Sequence, residues 1–358
     1  MMAILAFTGC GGGDNDLVDP GPTVVRPAPS GLPRTVAVGF SSMPAEQTVD
    51  SYVNAFATAA RYGEMLLISR TPPWQEFFPN QHPSEDTNST TRLETALLDQ
   101  YDDLQLVYTI DPTDPVVERD RVAGLPASVD PADGFANANL RNAFVAYALY
   151  IVRNYEPEYL ALGVEINMLR SRNPQQFEHF VSLYNETYDA VKEARPGTKV
   201  FPTFQLEDLE GNLGEPHPPD WEVLDAFRGR LDLLAISTYP YLADIRTAED
   251  LRPDYYSQLS DRFDGEILIV ESGYASAPVA AQRLVGNEAD QDVFLQRLLN
   301  DAQAFGFSGV IWRAALDPQY AGAGAIAVFR DIGLRKGDGS NKAAWTTWET
   351  WALRPLAE

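Results

Sequence analysis

The chain has 358 residues, 45% hydrophobic and 11% aromatic, enough to bury a sizeable core and to exclude global disorder. Against 27 Lys and Arg stand 51 Asp and Glu, a formal net charge of -24. That balance excludes nucleic acid, whose affinity rests on basic residues neutralising phosphates, and it favours a neutral over an anionic polymer as partner.

The first element is Ala3-Ile-Leu-Ala-Phe-Thr-Gly9-Cys10, a short apolar run ending in small residues before the single cysteine. With one cysteine, no disulfide forms within the chain. The run is far shorter than the ~20 residues that span a bilayer. It resembles a bacterial lipoprotein signal that lacks the basic start. The resemblance implies lipidation of Cys10, export to the bacterial cell envelope, and membrane attachment only through that lipid. Residues 11–34 hold Gly11-Gly12-Gly13, Asp14, Asp16 and five prolines. This mix buries little apolar area and is expected to be a flexible tether.

From Thr35 onward apolar strand-like runs alternate with helical patterns. The strands are expected at 35–40, 64–70, 104–110, 159–166, 199–205, 231–239, 266–271 and 309–313. The helices are expected at 49–62, 91–101, 138–154, 174–194, 221–227, 255–263, 288–305 and 342–353. Asn173 is placed to cap the fourth helix, with Pro174 at its first position. Pro202 weakens the fifth strand. Eight strands with intervening helices predict one α/β domain over 35–358, a (β/α)8 TIM barrel. No G-x-G-x-x-G follows the first strand and no P-loop is present, so no nucleotide cofactor is expected.

In such a barrel, functional residues sit at the C-terminal ends of the strands. Those ends carry Phe40-Ser41-Ser42, Arg70, Asp111, Glu165 with Asn167, Gln205 with Glu207, Tyr239, Glu271, and Trp312 with Arg313. Carboxylates, amides and aromatics are the chemistry of sugar binding. The fourth and seventh strands each close on a glutamate, and a parallel strand buried on both faces has no other use for a charge at its end. Two carboxyls about 5–5.5 Å apart are what a retaining glycosidase requires, one ionised as nucleophile and one donating a proton. Trp312 and Trp74 are candidate platforms for sugar rings, and Asn167 and Gln205 candidate hydroxyl partners.

Leu162-Gly-Val-Glu165-Ile-Asn167 and Ile269-Val-Glu271-Ser-Gly-Tyr274 together resemble the two catalytic strand ends of clan A glycoside hydrolases. Within the clan the chain is most similar to family 53, the endo-β-1,4-galactanases. The ending Gly333-Leu-Arg-Lys-Gly-Asp-Gly-Ser-Asn341 also resembles that family's. The resemblance implies Glu165 as acid/base, Glu271 as nucleophile, and Arg70 and Tyr239 in contact with the nucleophile. The clan has an asparagine before the acid/base, serving the sugar 2-hydroxyl; this chain has Val164.

Two alternatives follow: a non-catalytic carbohydrate-binding lipoprotein on the same barrel, or a β-mannanase or β-glucanase of the same clan. The alternative role for Glu165 is an ordinary ion pair with Arg170 or Arg172. His82, His179 and His217 show no H-E-x-x-H spacing, so no catalytic metal is expected. Carboxylates near 111–114 and 128–134 leave a structural calcium open, without EF-hand spacing. No G-x-S-x-G elbow supports a serine nucleophile.

Overall fold

The computed structural model describes residues 21–114, 118–243, 245–279 and 284–357. Its barrel strands are β1 (Ala37–Ser41), β2 (Met65–Arg70), β3 (Gln105–Ile110), β4 (Tyr159–Leu162), β5 (Lys199–Phe201 and Thr203–Gln205), β6 (Leu234–Thr238), β7 (Ile267–Ser272) and β8 (Gly309–Trp312). Each pairs in parallel with the next in sequence, and β8 returns to β1 with Ala37 opposite Gly309 and Phe40 opposite Trp312. The two halves of β5 flank Pro202, which has no N–H for the ladder. The first half pairs with β4 and the second with β6, so the chain through Pro202 closes the barrel. The fold is a (β/α)8 barrel.

One apolar cluster draws on all eight strands: Ala37, Met65, Leu67, Val107, Tyr159, Ala161, Phe201, Leu233, Ala235, Leu268, Val270 and Ile311. This is the barrel interior. The alternate residues, such as Leu66, Ile68, Ile236, Ile269 and Trp312, belong to the larger core between strands and helices. Side chains along a strand alternate between faces, so the two clusters identify which parity of each strand faces the centre. That parity decides which residues reach the mouth.

The surrounding helices are α1 (Val49–Tyr62), α2 (Glu85–Gln100), α3 (Ala138–Tyr155), α4 (Ile166–Arg172), α5 (Pro174–Ala194), α6 (Leu206–Leu209), α7 (Gln258–Arg262), α8 (Glu288–Phe305) and α9 (Ala343–Ala352). The expected helices at 49–62, 174–194 and 288–305 match these bounds, and Asn173 caps α5 by accepting from the Gln176 N–H. Helix α2 begins six residues before the expected 91, because the Ser84 hydroxyl caps the polar stretch from Glu85 by accepting from the Thr87 N–H. The expected helix at 221–227 is a 3-10 turn, and that at 255–263 shortens to α7.

Of the expected tether, residues 21–34 lie against the barrel rather than free of it. The Gly21 and Pro22 carbonyls accept from Gln100 and the Tyr101 hydroxyl. Arg26 donates to the Ala60 and Gly63 carbonyls. Arg34 is 1% exposed, donating to the Trp351 and Val36 carbonyls and to Glu64. Arginines that can bond backbone carbonyls give a Pro-rich segment its anchorage without an apolar core, which composition alone hides. Cys10 and residues 11–20 lie outside the described residues. Among the described residues no helix is long and apolar enough to cross a membrane.

Candidate active site

Glu165 does not end a strand. Strand β4 stops at Leu162, four residues before the expected end at 166, and the chain turns sharply into α4. Gly163 has φ 130°, and a Cβ there would sit 2.6 Å from the Phe180 ring, so only glycine fits. Glu165 has φ 52° and ψ 45°, in the left-handed region. The turn is held by its N–H donating to Thr203 Oγ1 at 2.8 Å. It delivers the carboxylate, 4% exposed, to two donors. Ser237 Oγ donates to Oε1 at 2.7 Å, and Arg119 Nε to Oε2 at 2.5 Å. Arg119 also donates to both oxygens of Asp111, at 2.8 and 3.0 Å. Burial alone would lower the Arg119 pKa, but the charges of Asp111 and Glu165 raise it, so the guanidinium stays cationic.

Glu271 reaches the mouth by a bulge. Leu268 and Val270 face the interior, which would turn Ile269 and Glu271 outward. The register against β6 shifts between Ile269 and Glu271, where Ile269 pairs Ile236 but Glu271 pairs Ser237. The extra residue re-aims the side chain. Glu271 then accepts from the Tyr239 hydroxyl and from Arg313 Nη1. Burial and the Glu271 charge push the Tyr239 phenol well above its usual range, so it remains a donor. Burial works against the charged Arg313, but Glu271 more than offsets it. Glu271 therefore meets one permanent cation and one permanent hydroxyl donor.

Strand β6 and the residue directly after it link the two carboxylates. Ser237 and Tyr239, two residues apart on the inward face after Leu233 and Ala235, bind Glu165 and Glu271 respectively. The backbone N–H of Tyr239 donates in turn to Glu207 Oε2 at 3.0 Å. Glu207, 1% exposed, also accepts from the Thr238 and Tyr255 hydroxyls and the Gln205 amide. Two cavities open at this mouth. One of 570 Å³ is lined by Glu165, Gln205, Tyr239, Met168, Arg172 and His217 among others. The other, of 790 Å³, is lined by Glu271, Arg313, Arg119, Trp74 and Val164. Phe329 lines both.

Several expected site residues sit elsewhere. Arg70 does not touch Glu271. It shares the outward parity of Leu66 and Ile68 and pairs with Glu94 of α2, donating also to the Tyr52 hydroxyl. The arginine at Glu271 is Arg313, of inward parity after Gly309 and Ile311. Its neighbour Trp312 is wholly buried, donating its indole N–H to the Ile332 carbonyl at 2.8 Å, and offers no ring face to a ligand. Asn167 lies in α4, not on a strand face. Its side chain joins α4 to β5 and α6 through the Gln205 backbone and Asp208, and is 3% exposed. Gln205 lines the smaller cavity while its Oε1 caps the Asp208 N–H. Trp74 lines the larger cavity but is 2% exposed, stacked on Phe144 and donating to the Ala123 carbonyl.

Arg170 and Arg172 pair with Asp220 and Asp208, not with Glu165. Arg119 and Ser237 escaped the strand-end reading, and Arg313 stood in it beside the wrong choice. Nothing in the sequence around Arg119, within a long loop, marks it. Among the described residues no three His, Cys, Asp or Glu side chains are grouped to hold a metal ion.

No protein-family model matches the sequence, and no curated protein matches it. Solved structures do match. An exo-β-1,4-mannosidase from Opitutaceae bacterium strain TAV5 aligns over 89% of this chain with TM-score 0.65 and 16% identity. This chain spans 59% of that protein's length. A GH5_18 protein of Bifidobacterium longum subsp. longum in complex with Manβ1-4GlcNAc aligns over 88% of this chain and 78% of its own, with TM-score 0.64 and 14% identity. A β-glycosidase from Pyrococcus horikoshii aligns over 84% of both chains, with TM-score 0.57 and 13% identity. At these identities the likeness concerns the fold, which is the (β/α)8 barrel of those proteins.

Proposed function

We propose that this protein is a retaining glycoside hydrolase acting on β-linked oligosaccharide or polysaccharide by double displacement. One observation carries the reading: two buried glutamates each have their own donors at the barrel mouth, and Ser237 of β6 and Tyr239 directly after it supply one donor to each. Glu271, held by Arg313 and Tyr239, is the nucleophile. Glu165 is the acid/base. The mannosidase and β-glycosidase among the similar structures support the same reaction class. A neutral sugar is favoured because the arginines nearest the pair, Arg119 and Arg313, are already matched by Glu165, Asp111 and Glu271. The finer assignment to galactan rests on the Glu271-Ser-Gly-Tyr274 likeness to family 53.

The test is turnover of a panel of β-linked galactan, mannan and glucan by wild type, Glu165→Ala and Glu271→Ala. Wild-type release of sugar that both variants lose supports the reading. Full activity in Glu271→Ala refutes the site. Val164, which lines the larger cavity where an amide was expected, favours a second reading, a carbohydrate-binding protein without turnover. Binding of one polymer without release of sugar would establish it. The Ala3–Cys10 run supports export and lipid attachment at Cys10, tested by loss of radiolabelled palmitate incorporation in Cys10→Ser.

A further inference from the structure

Building on the glycosidase reading, we propose that Phe329 is a positioning residue that holds Arg313 on Glu271, so that nucleophilic attack depends on an aromatic ring carried by the segment after β8. The two cations at the mouth are held differently. Arg119 donates to Glu165, Asp111 and Thr113. Among the described residues, the Arg313 guanidinium makes a single hydrogen bond, from Nη1 to Glu271, and its Nε is buried with no hydrogen-bond partner. A guanidinium is a rigid planar fork of donors, and one bond fixes a point of it rather than the plane. The Phe329 ring supplies a second constraint. The guanidinium carbon lies over that ring, 5.3 Å from its centroid, within the ~6 Å at which an aromatic face attracts a cation.

The ring is itself held in place. Phe329 is 3% exposed and ends the 3-10 turn Ala325–Phe329. The Tyr241 hydroxyl donates to the Val328 carbonyl at 2.9 Å, which ties this turn to the segment after β6. The ring also packs on Tyr239, with centroids 5.4 Å apart. Phe329 therefore touches both donors of Glu271. It lines both cavities, but a ring so covered has little face to offer a sugar. The consequence falls on one step. Glu271 attacks the anomeric carbon, the glycosidic C–O bond breaks, and the leaving oxygen takes the electron pair and a proton from Glu165. A nucleophile whose cation is loose strays from the line of attack, and a misplacement of ~1 Å costs on the order of 100-fold. Substrate binding, which uses the cavity walls, is left nearly unchanged.

The experiment uses the aryl β-glycoside that wild type turns over best among glucoside, galactoside and mannoside. Its 2,4-dinitrophenyl 2-deoxy-2-fluoro analogue traps the covalent glycosyl-Glu271, and mass spectrometry follows the rate of trapping. Phe329→Leu is expected to lower both kcat and the trapping rate by roughly 5–30-fold, the size of a desolvated cation–ring contact, with KM nearly unchanged. Phe329→Met is read in the same way, so that one variant's failure to fold does not decide the matter, and melting temperatures place every rate per folded molecule. Phe329→Tyr, which keeps the ring, restores the wild-type trapping rate. In an Arg313→Gln background Phe329→Leu has little further effect, because both changes act through one cation. A raised KM with an unchanged trapping rate makes Phe329 a sugar platform and overturns the proposal. An undiminished loss in the Arg313→Gln background overturns it too, and either result leaves the glycosidase reading intact. No turnover and no trapped adduct in wild type removes both.

Discussion

Arg119 and Glu165, joined by a 2.5 Å ion pair, both hold the left-handed backbone conformation, with φ of 49° and 52°. They are two of the four non-glycine residues with positive φ among the described residues. Each such residue costs roughly 1–2 kcal/mol and persists only where its surroundings over-determine it. Here the surroundings are Asp111 and Thr113 for one partner and Thr203 and Ser237 for the other. Strain thus concentrates on the residue assigned as acid/base and on the cation that binds it.

The donors to Glu271 set its role. Tyr239→Phe removes a hydrogen bond to a charged group, about 1.5–3 kcal/mol, and is expected to lower kcat/KM by roughly 10–100-fold. Arg313→Gln is expected to lower it at least as far. Steady-state kinetics on the best aryl glycoside checks both; a loss below twofold in each would leave Glu271 without the support assigned to it.

Double displacement has a stereochemical signature. A β-linked substrate should release the β-anomer first, seen by proton NMR before mutarotation. An α-anomer as first product would replace nucleophilic attack by Glu271 with inversion.

Arg70 separates stability from catalysis. Glu94 is wholly buried and takes Arg70 as its cation, with hydroxyls of Tyr52 and Tyr155 on its oxygens. Removing one partner of a buried pair costs about 3–5 kcal/mol. Arg70→Met should therefore lower the melting temperature by several degrees, while kcat per folded molecule changes little. A large fall in kcat at full folding would instead tie Arg70 to Glu271.

Glu207 carries a pH signature. Burial pushes its carboxyl above the usual 4.5, outweighing hydrogen bonds from Tyr255, the Tyr239 N–H and Thr238. A carboxyl raised in the folded state binds its proton more tightly there than in the unfolded chain. Its stabilising contribution is complete below 4.5 and is lost as pH rises through the folded value. Glu207→Gln cannot accept from four donors with its amide and should be less stable at neutral pH by roughly 1–3 kcal/mol. The gap to wild type should widen between pH 7 and pH 5. Melting curves at both values check the sign, and a gap that narrows on acidification would contradict it.

Strand and helix alternation made the barrel legible, because each parallel strand is apolar on both faces and each long helix is amphipathic. Two glutamates at the ends of such strands were conspicuous for the same reason. That uniform apolarity also concealed the parity. In Met65-Leu-Leu-Ile-Ser-Arg70 nothing marks Leu67 as interior and Leu66 as exterior, so Arg70 was assigned to the mouth and faces α2 instead. The same ambiguity exchanged Trp312 for Arg313.

By itself, then, the sequence determined an eight-stranded barrel with one glutamate, Glu165, in the turn after its fourth strand and another, Glu271, near the end of its seventh. Tertiary structure decided how those carboxylates are held. The bulge that turns Glu271 inward is a mismatch between two strands, and the loop that brings Arg119 to Glu165 is fixed by a bond across the mouth. Both are relations between distant segments, and local pattern carries no record of them.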